Sequence, residues 1–317
     1  MMINRVCILG GSGFVGRHLA SKLVSRGIQC LILTRNPARH KDLRILPGVQ
    51  LLAANIYDAK AMEPHLASCD AFINLVGILN EGSNKQGFKQ AHVDLVDAVI
   101  KACRNSGVSR LLHMSALNAN QDQGPSRYLF TKGEGENLAH KLSQPDIKVT
   151  SFRPSVIFGP GDSFFNRFSD LLNMAPAPFP LACPDAHFAP VYIGNIVDAF
   201  IHSLYEPSSF DQRYDLCGPR VFTLEELVRY TAHQLGLKRQ IIRLSDRASK
   251  LQAEILGRMP GQPFSMDNYL SMQVDSVCQH NGLPDLGIAP ADVDEIVPLY
   301  LGLTKKQRRL SRWRQAG

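Results

Sequence analysis

The sequence predicts an α/β fold with a parallel sheet at its centre, and two observations carry this prediction. The N-terminal half alternates short apolar runs with stretches whose apolar residues recur at helical spacing. The first apolar run breaks into a glycine-rich turn, residues 10–16, and a helical pattern follows directly. Because helical crossovers join strands that run in the same direction, this order indicates a parallel sheet covered by helices on both faces.

Six strands are predicted, each from an apolar run next to polar or turn-forming residues. An amphipathic helix is predicted over residues 90–104, between the fourth and fifth strands, because Val93, Val96, Val99 and Ile100 recur at helical spacing. The predicted strands are residues 5–9, 30–34, 49–53, 71–76, 110–114 and 149–152.

The character of the sequence changes after Pro154. Residues 175–180 contain three prolines and predict an irregular connection, whereas Thr223 with Glu226 three residues later predicts a capped helix start. We expect a dinucleotide-binding domain over residues 1–155, to which some later segments return. A smaller, mostly helical substrate-side region is expected over 156–302, and a basic tail over 303–317.

The composition is that of an ordinary globular protein, with 44% hydrophobic and 20% charged residues in 317. Its seven cysteines are scattered without a C-x-x-C pair. This spacing predicts reduced thiols in a cytoplasmic protein, and neither a disulfide framework nor a zinc site. The longest apolar stretches fall far short of a membrane span, and no signal peptide is expected before the first strand.

The net charge of +7 is concentrated in the last fifteen residues, which carry six Lys and Arg and no acid. Leu310 and Trp313 add an apolar edge to this tail. Such a tail suits the anionic inner face of a membrane or a protein complex, and a solvated terminus is the alternative. Because the remaining chain is near neutral, nucleic-acid binding is not expected.

The turn at residues 10–16 has the spacing G-x-x-G-x-x-G. Gly10 permits a tight turn, Gly13 leaves room for a pyrophosphate, and Gly16 lets the helix pack closely on the sheet. The start of that helix offers backbone N–H groups to phosphates, so the turn predicts a dinucleotide site. We expect contacts to the dinucleotide from Gly10, Ser12, Gly13, Phe14, Val15 and Gly16.

The end of the second strand predicts which dinucleotide binds. An NAD site usually has a carboxylate there for the ribose 2′-hydroxyl, but this strand ends in Thr34, Arg35 and Asn36. Arg35 can instead pair with a 2′-phosphate, and Thr34 and Arg17 can assist. We therefore expect NADP(H) to be preferred, with NAD(H) possible and Arg35 as a solvated loop residue the alternative. Asn55, which follows the third strand at the same edge of the sheet, is expected among the cofactor contacts.

Ser115, Tyr128 and Lys132 form a second constellation. Tyr128 and Lys132 lie four residues apart, so on a helix they share one face. An ammonium beside a phenol favours the phenolate, which makes tyrosine a usable proton donor and acceptor. Ser115, just past the fifth strand, can hold a substrate oxygen. A surface helix pair is the alternative interpretation of the tyrosine and lysine.

Together these pieces resemble the short-chain dehydrogenase/reductase superfamily, in its extended or atypical branch. The similar segments include residues 74–77, 153–162, 190–199 and 214–219. Within that branch the chain is most similar to bacterial relatives of a respiratory complex I accessory subunit, the nucleotide-binding alpha-subcomplex subunit nine, on residues 190–199 and 268–277. The resemblance implies a Rossmann-type, doubly wound parallel sheet and an epimerase/dehydratase-like architecture.

The resemblance also implies roles for single residues. Tyr128 would be the acid and base, Lys132 would bind the nicotinamide ribose, and Ser115 would orient the substrate. The segment after Arg153 would pass the nicotinamide. The further residues implied in cofactor binding are Ile56, Leu75, Val76, Gly77, Met114, Arg153, Pro154, Ser155 and Val156.

One position departs from that family, because His92 stands where an asparagine supports the proton relay. A histidine can carry protons or be a packed helix residue. Two functions therefore stay open. One is an NAD(P)H-dependent oxidoreductase or epimerase acting on a small molecule or quinone-like ligand. The other is a non-catalytic NADP(H)-binding scaffold or assembly factor linked to a respiratory complex or quinone pathway. No metal-ligand spacing is found.

Overall fold

A computed structural model describes residues 3–81, 87–174 and 178–302 of the chain. The strands are β1 (Arg5–Leu9), β2 (Gln29–Thr34), β3 (Val49–Ala53), β4 (Ala71–Asn74), β5 (Arg110–Met114), β6 (Lys148–Pro154), β7 (Ile157–Phe158), β8 (Phe179–Leu181), β9 (His187–Phe188), β10 (Val191–Tyr192), β11 (Arg213–Leu216), β12 (Phe222–Thr223) and β13 (Ile241–Arg243). The six predicted strands are found to within two residues at each end as β1 to β6, and the seven later strands of the described residues were not predicted.

The central sheet has seven strands in the order β3-β2-β1-β4-β5-β6-β11, and every neighbouring pair is parallel. The predicted α/β, Rossmann-type fold is thus confirmed. The order of the strands reverses between β1 and β4, so the chain leaves these two strands towards opposite sides. Doubly wound sheets bind ligands at such a switch point, in the crevice outside the carboxyl ends of the strands, which here are the ends of β1 and β4.

The helices alternate with the strands, and the capping box of Thr223 and Glu226 begins α8 as predicted. The predicted helix over residues 90–104 is formed by a π-helical segment, Gln90–Asp94, and by α4 (Leu95–Asn105), and the short helix α3 (Gly87–Lys89) directly precedes them. The helices are α1 (Phe14–Ser25), α2 (Ala59–Leu66), α3 (Gly87–Lys89), α4 (Leu95–Asn105), α5 (Arg127–Ser143), α6 (Phe165–Met174), α7 (Ile193–Tyr205), α8 (Leu224–Gln234), α9 (Asp246–Leu256), α10 (Met266–Ser271) and α11 (Val293–Ile296), with 3₁₀ turns at Pro37–Ile45, Pro207–Ser209, Pro284–Leu286 and Val297–Leu299.

The chain divides into two compact units. Unit 1 contains the residues up to Pro154 together with Ile196–Leu216 and His280–Ile288, and it holds the whole central sheet. Alternate strand residues such as Cys7 and Leu9 pack with α2 and α4 in one buried core, while Val6 and Ile8 are buried on the opposite face. Burial on both faces explains why these strands are continuous apolar runs in the sequence.

Unit 2 contains Ser155–Asn195, Cys217–Gln279 and the residues from Ala289 onward. Its cores are formed by aromatic and aliphatic side chains around α6 and α8. The irregular connection predicted over 175–180 lies partly in residues 175–177, outside the described residues, and Phe179–Leu181 form β8. The basic tail, with Leu310 and Trp313, also lies outside the described residues.

The fourth strand ends two residues earlier than predicted. The side-chain oxygen of Asn74 accepts a hydrogen bond from the Val76 N–H at 3.1 Å, and this local bond turns the chain out of the sheet. Leu75 and Val76 therefore belong to the loop that follows β4, at the switch point. An apolar run alone does not reveal this stop.

The prediction that all cysteines are reduced is wrong for one pair. Cys217 and Cys278 form a disulfide in unit 2, with their Cα atoms 6.0 Å apart. They are 61 residues apart in the sequence, and only the tertiary fold brings them together. The five other cysteines are free thiols.

The described residues contain no helix that is both long enough and apolar enough to cross a membrane. Within the same residues, no group of three or more His, Cys, Asp or Glu side chains is arranged to hold a metal ion.

Candidate functional site

The glycine turn after β1 lies directly against the loop after β4. Gly10 has a φ of +76°, and a Cβ there would come within 3.0 Å of the Leu75 carbonyl carbon. A Cβ on Gly16 would lie 2.4 Å from the Gly10 carbonyl oxygen, so α1 approaches the turn as closely as backbone allows. The positions of Gly10 and Gly16 thus require glycine for the two physical reasons that the sequence indicates.

The start of α1 suits an anion. Gly13 is the N-cap of the helix and supplies no side chain to cover the first N–H groups. The first turn contains Phe14, Val15, Gly16 and Arg17 and therefore no carboxylate. These N–H groups and the positive end of the helix dipole fit the pyrophosphate of a dinucleotide.

Arg17 is engaged in a different way from the one predicted. Its Nε donates to the Ser12 carbonyl oxygen at 2.9 Å, and its guanidinium pairs with Asp42 in the 3₁₀ turn after β2. The hydrogen bond from Arg17 lowers the pKa of the Asp42 carboxyl. Much of the Arg17 charge is thus balanced within the protein, whereas Arg35 is exposed to solvent at the end of β2.

Helix α5 carries Tyr128 and Lys132. The Ser126 side chain caps the helix by accepting from the Leu129 N–H, so Tyr128 lies in the first turn. Its half-buried ring packs edge-on against Phe88 and His92, with centroids 6.0 and 5.6 Å away. These contacts orient the tyrosine from the side of α3 and the π-helical segment.

The Lys132 ammonium is buried and donates a hydrogen bond to the Met114 carbonyl oxygen at 2.6 Å, at the carboxyl end of β5. Burial lowers the pKa of Lys132 to about 8, and the nearby Glu136 carboxylate offsets part of this effect. A Cβ on Gly77 would lie 3.7 Å from the Lys132 Nζ. The loop after β4 therefore reaches the same lysine as the end of β5.

A glycine in α5 sets the approach of that helix. A Cβ on Gly135 would lie 1.9 Å from the His92 carbonyl oxygen, so any side chain there would push α5 away from the π-helical segment. Because Tyr128 and Lys132 lie on the same helix, Gly135 helps to set their depth in the site.

His92 is locked by hydrogen bonds on both ring nitrogens. Its Nε2 accepts from the Ile78 N–H at 3.3 Å, so the ring proton lies on Nδ1, which donates to the Thr131 hydroxyl at 2.9 Å. That hydroxyl donates in turn to the Arg127 carbonyl oxygen at 2.8 Å. Burial and the neighbouring Lys132 lower the pKa of His92 far below its ordinary value. These bonds favour the interpretation of His92 as a packed helix residue over that of a proton carrier.

Ser115 has a partner that the sequence does not reveal. Its hydroxyl donates to a Glu136 oxygen at 2.5 Å, and both residues are buried. The second carboxylate oxygen of Glu136, Oε1, lies 2.7 Å from the Arg153 Nη2 and 2.7 Å from the Arg213 Nε. In the structure the Ser115 proton is used inside the protein, so we assign this serine a structural role, while its role in orienting a substrate stays a prediction.

The remaining predicted residues are distributed over both units. The Arg153 side chain is bound to Glu136 and lies 3.8 Å from Asp215, and the passage of the segment after Arg153 along the nicotinamide stays a prediction. The Pro154 carbonyl oxygen accepts from the Leu117 N–H. Ser155 begins unit 2, where its hydroxyl donates to the Ser276 carbonyl oxygen at 2.7 Å. In the same unit the Val156 carbonyl oxygen accepts a hydrogen bond from the Val191 N–H.

At the opposite edge of the crevice, the Thr34 hydroxyl oxygen accepts from the Asn36 N–H at 3.5 Å. The Asn55 side-chain oxygen accepts from the Tyr57 N–H at 3.2 Å, and Ile56 between them is buried. Within unit 1, β1 to β5 all end at one edge of the sheet because they are parallel, and the segments that follow them begin at that edge.

Several known proteins are similar to this chain in sequence or in fold. Residues 10–156, just under half of the chain, match the family described as NAD(P)H-binding. The chain is 24% identical over 294 residues to the mouse NADH dehydrogenase [ubiquinone] 1 alpha subcomplex subunit 9, covering 90% of this chain and 77% of that protein. It is 26% identical to a ceramide reductase of Caulobacter vibrioides, covering 76% of this chain and 74% of that protein.

Among solved structures, the UDP-glucose 4-epimerase of Thermotoga maritima superposes with a TM-score of 0.74 at 14% identity, covering 97% of this chain and 99% of that one. At this identity the likeness concerns the fold alone. The predicted resemblance to NAD(P)H-binding reductases and to the complex I accessory subunit is confirmed, and the likeness to epimerases is one of fold.

A Ser115→Ala substitution tests the structural role of this serine. We expect a loss of about 1–3 kcal/mol in the free energy of unfolding, because the buried Glu136 carboxylate loses a donor. Urea denaturation measures this loss, and isothermal calorimetry is expected to show nearly unchanged dinucleotide affinity. Ser143→Ala is the control, since its buried hydroxyl donates to the His140 carbonyl and does not touch Glu136. A Ser115→Ala protein of full stability would contradict the assignment.

Proposed function

We propose that the chain, whose residues 10–156 match the family described as NAD(P)H-binding, is an NADP(H)-dependent oxidoreductase or epimerase-type enzyme in which Tyr128 carries the proton. The observation that carries this proposal is the buried Lys132 ammonium, held at the end of β5 on the same face of α5 as Tyr128. A charged group is kept in such a place at a considerable cost in solvation, which is typical of functional sites.

The crevice residues supply the binding site in this proposal. The glycine turn and the first N–H groups of α1 would hold the pyrophosphate, and Arg35 with Thr34 would bind the 2′-phosphate. Asn55 and Ile56 would face the adenine, and the loop of residues 75–77 would line the path to Lys132. When bound, the dinucleotide supplies or accepts a hydride.

Tyr128 and Lys132 perform the proton chemistry. In the direction of reduction, the Tyr128 phenol donates its proton to the substrate carbonyl oxygen as the carbon receives the hydride, which leaves a phenolate. The Lys132 ammonium stabilises that phenolate and binds the ribose. Because the Ser115 hydroxyl is bonded to Glu136, the substrate oxygen depends on Tyr128 for orientation.

A second candidate function is a non-catalytic NADP(H)-binding scaffold for a respiratory complex. The locked His92 and the engaged Ser115 favour it, since they remove a relay and a substrate contact from the site. The similarity to a subunit named for NADH dehydrogenase favours it independently. In this function the dinucleotide would stabilise unit 1 by binding only its folded state. The partner would be a protein complex at the inner face of a membrane.

The dinucleotide preference is tested by Arg35→Glu. We expect NADPH affinity to fall about 10- to 100-fold, because a charge-assisted pair with the 2′-phosphate becomes a repulsion, while NADH affinity is retained. Isothermal calorimetry with both dinucleotides measures this. Arg26→Glu, an exposed arginine at the end of α1, is the control. An equal change for both dinucleotides would refute the preference.

The pH dependence follows from Lys132. Its pKa is lowered to about 8, so the ammonium is present below that pH and is lost as the pH rises through it. We expect NADPH affinity to fall across this interval, and a Lys132→Met protein to bind weakly without that fall. Fluorescence titrations between about pH 6.5 and 9.5 check this. Lys101→Met, at an exposed lysine of α4, is expected to behave like the wild type.

Single-turnover oxidation of bound NADPH, followed by absorbance against quinones, ketones and aldehydes, tests catalysis. A Tyr128→Phe protein is expected to react about a hundredfold or more slowly, since it lacks the proton donor, and to bind NADPH normally. Tyr205→Phe, on α7, is the control. Oxidation of an active substrate at the wild-type rate by Tyr128→Phe would remove the assigned role. Tight binding without oxidation of any substrate would favour the scaffold.

A further inference from the structure

Helix α9 (Asp246–Leu256) packs in unit 2 through small side chains and exposes large ones. Ser249 and Ala253 are 1% and 0% exposed, and the Ser249 hydroxyl accepts from the Cys183 N–H. Leu251 and Ile255 are 57% and 55% exposed. Since a step of two residues turns about 200° around a helix, Leu251 lies opposite both buried residues.

This pattern is the reverse of that of an ordinary surface helix, which buries its bulky apolar residues. The turn after α9 adds a third exposed apolar side chain to Leu251 and Ile255. Met259 is 48% exposed, and its N–H donates a hydrogen bond to the Leu256 carbonyl oxygen at the end of the helix. One exposed apolar row is thus formed by Leu251 and Ile255 on α9 and by Met259 in the turn after it. Folding of the described residues leaves these side chains exposed, and a contiguous apolar row on a surface is typical of an interaction site.

The charges beside the row indicate what kind of partner fits. Arg247 lies on α9 four residues before Leu251 and therefore on the same face, and the exposed Arg258 lies in the turn after the helix, next to Met259. With the exposed Lys250 and with Glu254, that face has a net positive charge. Long cationic side chains beside an apolar row let the row enter an interface while the charges reach anionic groups.

The size of the row distinguishes between partners. A stable protein–protein interface buries about 800 Å² on each side, far more than three side chains offer. Shallow binding to a bilayer needs only a narrow apolar row with cations near lipid phosphates. We propose that α9 and the turn after it dock on an anionic lipid bilayer, with Leu251, Ile255 and Met259 entering the boundary between headgroups and acyl chains.

Co-sedimentation of the full chain with vesicles tests this. We expect binding to phosphatidylcholine vesicles that contain phosphatidylglycerol and much weaker binding to phosphatidylcholine alone. The double variant Leu251→Gln/Ile255→Gln should bind the anionic vesicles at least about tenfold more weakly, because two buried apolar groups are lost. Circular dichroism melts check that the variant is folded.

The matched control is Val221→Gln/Leu299→Gln, which alters two side chains of unit 2 that are 51% and 60% exposed. It should bind vesicles as the wild type does. The proposal is overturned if both double variants bind equally, if the wild type does not bind, or if lipid charge has no effect. It is also overturned if, without lipid, only the α9 variant breaks up a dimer in gel filtration, because the occupant would then be a second copy.

A spectroscopic probe separates α9 from the basic tail. In a Trp313→Phe background, Leu251→Trp places the sole indole of the chain on the proposed surface. Its emission should shift to the blue on anionic vesicles and be quenched by brominated lipids. Vesicle binding without either change would assign the attachment to another part of the chain and overturn the role of α9. None of these results bears on the dinucleotide site.

Discussion

The buried carboxylate of Glu136 is the interaction on which the candidate site of unit 1 depends. It projects from α5 and binds Ser115 after β5, Arg153 in β6 and Arg213 in β11. A buried carboxylate is tolerated only when its oxygens are fully paired, and loss of one partner is costly. The position of α5 against β5, β6 and β11 is therefore tightly constrained, and Tyr128 and Lys132 are carried on that helix. The same negative charge offsets part of the penalty for burying Lys132, which keeps the pKa of Lys132 near 8 and its ammonium charged at neutral pH.

Most of the fold could be predicted from the sequence, because strands buried on both faces produce uninterrupted apolar runs. The segments of the dinucleotide crevice could be predicted for the same reason, since the carboxyl ends of parallel strands share one edge. The partners of Ser115 and Arg153 could not. Glu136 sits in a polar stretch of sequence where a charge would be expected on the surface, although Gly133 and Gly135 just before it do indicate a tightly packed helix. Likewise, no spacing rule pairs Cys217 with Cys278 across 61 residues.

The hydrogen bonds of His92 bear on turnover more than on the chemical step. A relay would resupply protons to Tyr128 after each cycle, and a histidine whose two nitrogens are both used for structure cannot do this without breaking bonds. The transfer of one proton from Tyr128 to a substrate needs no relay. The tyrosine is also half-buried rather than enclosed, so protons can reach it from solvent or substrate. The first proton transfer from Tyr128 therefore does not depend on a relay. A single-turnover measurement can detect an enzyme even where His92 does not resupply the proton.

The exposed row of α9 is independent of that choice. A reductase that acts on a lipid or quinone gains from contact with a bilayer, because its substrate is concentrated there. A scaffold for a membrane-bound complex gains from the same contact, because the bilayer restricts it to the surface where its partners are. Membrane docking would therefore not discriminate between the two functions, and the chemistry of Tyr128 and Lys132 must do so. The observation on α9 is narrower: Leu251 and Ile255 stay exposed in the folded unit 2, and the proposed bilayer contact would give them the burial that folding does not.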